Sequence, residues 1–82
     1  MYVHLGGDKI LRSKDIIAIF DVSIEKSSKI SGLFMDQAYK RKQVEKIGEE
    51  ETKSIILTED KIYFSPISSS TLKKRAEQAL NV

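Results

Sequence analysis

No cysteine occurs among the 82 residues, which excludes a disulfide framework and a thiolate zinc site as supports for a small core. A chain of this size buries only about 60 to 65% of the surface its unfolded form exposes, so self-association is the support that remains. His4 is the single histidine. With no thiolate beside it and no G-x-S-x-G turn around it, neither a common transition-metal site nor a Ser/His/Asp triad is expected. Glycine is scarce, and Gly6-Gly7-Asp8 matches neither a dinucleotide fingerprint nor a Walker loop, so it reads as a turn. No cofactor, no metal and no enzymatic activity are therefore expected. The longest apolar runs are about five residues, far short of a membrane span. The opening "MYVHLGGDK" lacks a basic n-region and an apolar h-region. A cytoplasmic location without a membrane partner follows as the expectation.

What is present fits a single α+β domain over residues 1–82. "YVHLG" alternates around Val3 and Leu5 and stops at two glycines, which predicts a strand and a tight turn. "KILRSKDIIAIFDVS" predicts a short strand and a longer one. The nearly unbroken apolar run of the longer strand suggests cover on both faces. From Ser27 the period changes. Ile30, Leu33, Phe34 and Ala38 share one stripe of an amphipathic helix, with Ser27 or Ser28 as its cap and Lys40, Arg41 and Lys42 at its cation-favouring end. "KSIILT" and "KIYFSP" read as a hairpin turning at Glu59 and Asp60, closed by the single proline, Pro66. A last helix with Leu72, Ala76, Ala79 and Leu80 on a narrow stripe, capped from the Ser68–Thr71 stretch, reads as a lid on the sheet. The sum is a small sheet of about five or six mostly antiparallel strands with two helices.

Charge is small in total, +2, but striped along the chain. Residues 26–42 carry +4 and residues 62–82 carry +2, whereas residues 15–25 and 43–51 carry −3 each. Arg12 and Lys14 precede the long strand, and Lys73, Lys74 and Arg75 open the last helix, where the macrodipole disfavours cations. Together with Lys53, these are the candidate phosphate contacts for DNA. The acidic run Glu49, Glu50 and Glu51 is either a solvated loop or a dock for a cationic partner. Met35 and Tyr39, an i and i+4 pair beside the main helical stripe, are either a protein contact or part of a wide buried face.

"YVHLGGDKILRSKDIIAIFD" and "KSIILTEDKIYFSPISSSTLKKR" together resemble the RemB branch of the RemA-like family of extracellular matrix regulators. The resemblance spans nearly the whole chain. It implies a bacterial regulator of matrix and biofilm gene transcription, non-enzymatic, with an α+β fold likened to LytTR DNA-binding domains and protomers that assemble into rings. Repetition around a ring raises avidity for DNA without any new contact type. Where RemA-like DNA binders carry an arginine at the start of the long strand and paired arginines before the hairpin, this sequence has Asp15, Glu50 and Glu51. Only Lys53 keeps the family's sign. The resemblance thus leaves two expectations. One is a homo-oligomeric DNA-binding regulator using Arg12, Lys14, Lys53, Lys73, Lys74 and Arg75. The other is an interaction module whose Glu49, Glu50 and Glu51 dock a basic partner such as a RemA-like protein.

Overall fold

A computed structural model describes residues 2–24 and 36–80, with side chains through Glu77. The elements in chain order are β1 (Tyr2–Gly6), β2 (Lys9–Arg12), a 3-10 turn (Ser13–Asp15), β3 (Ile16–Asp21), helix α1 (residues 36–41), β4 (Gln43–Lys46), β5 (Ser54–Thr58), β6 (Lys61–Ser65) and α2 (Ser69–Leu80). They form two sheets rather than one. β1 and β2 make an antiparallel ribbon, and the other four strands run in the order β3-β5-β6-β4. All pairings are antiparallel except β4 with β6.

Alternation along β5 and β6 divides the core in two. Ile56 faces the same side as its cross-strand partner Tyr63 and packs with Val3, Leu5, Ile47 and Leu72 beneath the ribbon and α2. Ile55, Leu57 and Ile62 point to the opposite side, where they meet Ala38 of α1. β5 is therefore the strand buried on both faces. That corrects the expectation for β3, which lies at the sheet edge: its side chains are at best half-buried, and Ile17, beside an irregularity in the β3–β5 register, is 61% exposed.

β4 was not anticipated, because "QVEK" has a single apolar residue and no β signature of its own. It exists by pairing with Lys61–Phe64 of β6. The hairpin turn also works without the favoured Asn-Gly. No non-glycine residue described has positive φ, and the Thr58 hydroxyl clamps the turn, donating to Lys61 O at 2.8 Å and accepting from Lys61 N at 3.1 Å. Gly6 has φ +113°, and a Cβ there would sit 3.3 Å from the Pro66 ring, so the ribbon enters its turn through a position only glycine fills comfortably.

Ser68 is the residue that caps α2. Its Oγ accepts from Thr71 N at 3.3 Å and donates to Thr71 Oγ1 at 2.9 Å. Ser68→Ala is expected to cost about 1 kcal/mol in chemical denaturation. The same change at exposed Ser70, whose described partner is Ser68 itself, should cost less. Leu72 on α2 is fully buried, so the lid contributes to the core it covers. Of the first helix, Ser27, Ser28, Ile30, Leu33, Phe34 and Met35 lie outside the described residues, and Ala38 is buried as the stripe requires.

Candidate nucleic-acid and protein interface

The six candidate phosphate contacts do not converge on one patch. Arg12 and Lys14 line an open cleft of about 550 Å³ between the 3-10 turn and the β5–β6 hairpin tip. The pairing of Ile16 with Thr58 makes that juxtaposition. The cleft also holds Asp15, Glu59, Asp60 and Lys61 over an apolar floor that includes Leu11 and Tyr63. Arg12 is already engaged: its Nε donates to Asp15 Oδ2 at 3.1 Å. Lys14 is exposed at the rim.

Lys53 sits at the other end of β5. Its carbonyl accepts from Val22 N and its amide donates to Ser65 O, at 3.1 and 2.8 Å. A five-residue strand spans about 13 Å or more, so Lys53 and the exposed Glu49, Glu50 and Glu51 beside it are separated from Arg12, Lys14 and Asp15 by the length of the sheet. Within one protomer, Asp15 and the pair Glu50 and Glu51 therefore occupy two sites. Sequence order alone gave no sign of this separation.

The α2 cluster is split as well. Arg75 turns towards the ribbon, where its Nη1 donates to His4 O at 2.8 Å. Lys73 lies near Asp21, whose carboxyl is held below the usual range mainly by hydrogen bonds from the Ser23 hydroxyl and amide, with a smaller contribution from Lys73. Lys74 is exposed and makes no ion pair or hydrogen bond among the described residues. At the end of α1, Lys42 donates from Nζ to Thr58 O at 2.6 Å, which ties it to β5.

Tyr39 is half-buried, edge-on to Phe64 with ring centroids 5.9 Å apart, so its ring belongs to the α1 side of the core. Met35, its expected companion, lies outside the described residues. Glu45 is a functional group that sequence reasoning missed. It lies within 3.6 Å of both Lys9 and Lys61, and Lys9 in turn stacks 5.0 Å from the Tyr63 centroid, which fastens the ribbon across β4 and β6. Seeing this required the parallel register that places Glu45 opposite Tyr63. Among the described residues no cluster of His, Cys, Asp or Glu is arranged to hold a metal ion, and no helix is long and apolar enough to cross a membrane.

Two comparisons with known proteins bear on these surfaces. The family model described as "Extracellular matrix regulatory protein A-like" matches residues 2–76. The chain is also 43% identical over 77 residues to "Extracellular matrix regulatory protein B" of Bacillus subtilis (strain 168), covering 94% of this chain and 91% of that protein. The matched span runs from β1 into α2, through the ribbon, both faces of the sheet and all the candidate contacts. The chain belongs to the RemA-like family of extracellular matrix regulatory proteins.

Proposed function

We propose that the protein is a non-enzymatic, cytoplasmic regulator of matrix gene transcription that acts as one domain over residues 1–82, self-associates, and binds DNA chiefly through phosphates. The observation that carries this reading is the exposure of Lys73 and Lys74 on the first turns of α2. They stand one turn inside the helix, which begins at Ser69, and neither forms an ion pair among the described residues. Within the chain Lys73 gains only a small attraction to Asp21, whereas a polyanion would engage both lysines. Lys14 and Lys53 extend the contact, while Arg12 and Arg75 must exchange their internal partners to join it. Because the cations lie at both ends of the sheet, a duplex gains most from neighbouring protomers, and a ring like that expected for the family meets this need.

Fluorescence anisotropy of a labelled duplex, titrated at several salt concentrations with the native mass recorded in parallel, tests the reading. Saturable binding by an oligomer is expected, with a log–log salt slope of about −0.9 per phosphate contact. Lys73→Glu with Lys74→Glu should abolish binding at moderate salt. No binding at low salt overturns direct contact with DNA.

A second reading is favoured by the loop at residues 49–51. All three glutamates are exposed and none is ion-paired among the described residues. Here the loop docks a basic partner, a RemA-like protein with arginines at the matching positions being the suited one, since opposite charges favour mixed over self-association. Glu50→Arg with Glu51→Arg separates the two readings. It should strengthen duplex binding if the loop faces DNA and abolish capture of the purified basic partner if the loop is a dock.

A further inference from the structure

The two edges of the four-stranded sheet differ in kind. β4 is short and carries Glu45 and Lys46, the charged residues with which soluble proteins blunt an edge. β3 has no charge between Asp15 and Asp21 and reads Ile-Ile-Ala-Ile-Phe along its length. Among the described residues no strand lies beside its outer backbone groups, and Ile17 is left 61% exposed.

Next to this edge, β3 and α2 bound a groove of about 270 Å³ lined mainly by apolar atoms of Ile16, Ile17, Ile19 and Ala76, with Lys73 and Glu77 on its helical wall. An open strand edge supplies main-chain hydrogen bonds, and a groove beside it takes alternate side chains. These are the two components of recognition by strand addition. Charge narrows the occupant. Asp15 is answered by Arg12 and Asp21 has Lys73 near it, whereas Glu77 has no ion pair among the described residues.

We propose that the β3 edge and the β3–α2 groove bind an extended segment of a partner protein, with β-branched side chains at alternate positions entering the groove and a lysine or arginine beside them facing Glu77. A second copy offering its own β4 is poorly suited. Glu45 pairs with Tyr63 in register and so lies on the ribbon face, while Val44 pairs with Ile62 on the opposite face. Joined edge to edge with like faces aligned, such a copy brings Glu45, already held by Lys9 and Lys61, to the groove in place of the β-branched Val44.

The probe is a fluorescein-labelled synthetic peptide, Lys-Val-Thr-Ile-Thr-Val-Lys, titrated into the full chain. A counterpart with glutamate at both ends and one N-methylated at alternate amides are run alongside. Saturable binding of the basic peptide is expected, weakened about tenfold or more by Ile17→Lys, by N-methylation and by the acidic ends. Native mass and circular dichroism of Ile17→Lys should equal those of the parent. Absence of saturable binding, or affinity indifferent to both Ile17→Lys and N-methylation, overturns the proposal. So does a fall in native mass on Ile17→Lys, which would assign the edge to a second copy.

Discussion

Leu72→Ala is expected to lose about 2 to 5 kcal/mol of folding stability, the largest effect of any single truncation in the lid. Leu72 is fully buried and is the residue through which α2 enters the cluster of Val3, Leu5, Ile47, Ile56 and Tyr63. That cluster draws on β1, the segment after β4, β5 and β6, while α2 itself packs chiefly against β1 and β3, so the vacated volume lies among several pieces of chain and cannot close by one local shift. A domain of this size has in total about 4 to 12 kcal/mol to lose. Much of the variant population should therefore be unfolded in mild denaturant. Urea unfolding followed by circular dichroism measures the change, with Ile17→Ala as an exposed control expected within about 0.5 kcal/mol of the parent. A loss below about 1 kcal/mol would show that α2 is an accessory to the core and not part of it.

Ser65→Ala ranks second. The Ser65 hydroxyl is fully buried, donates to Leu5 O at 2.5 Å and accepts from Ile67 N at 3.0 Å. One oxygen thus satisfies a carbonyl of the ribbon and an amide of the segment leading to α2. Removing it strands two polar groups, each worth about 1 to 3 kcal/mol when buried without a partner. A combined loss of about 2 to 4 kcal/mol is expected, with Leu5 and its β1 neighbours showing the steepest rise in amide hydrogen exchange. Ser54→Ala provides the comparison. Among the described residues its hydroxyl has one partner, Ile67 O at 2.7 Å, so the cost should be smaller, and an equal cost would argue against the two-sided role of Ser65.

Much of the fold was legible because local signals agreed with tertiary ones. The Gly6-Gly7 turn, the alternation in β1, the hairpin at Glu59 and Asp60 and the serine cap of α2 each follow from short-range rules, and the structure has all of them. The misreadings share a different physical origin. "IIAIF" carries the composition of a central strand, yet β5, with a similar composition, took that place. Burial depends on strand order, which no residue of β3 encodes. β4 is a strand only because β6 lies alongside it. The candidate contacts separate for the same reason: Arg12, Lys53 and Arg75 belong to separate stretches of the sequence, and backbone register sends one to the cleft, one to the far end of β5 and one to the His4 carbonyl.

The ribbon closes onto elements far along the chain. Leu5 is bonded to Ser65 across 60 residues and His4 to Arg75 across 71. Such separations make folding slow relative to helical domains of equal length, because the loop must close before its contacts repay the closure. During synthesis Val3 and Leu5 emerge well before Leu72, so their cluster can be completed only once the α2 segment has been made. The apolar edge of β3 is in the open throughout that interval, so nascent chains are most prone to mispairing before the last helix arrives.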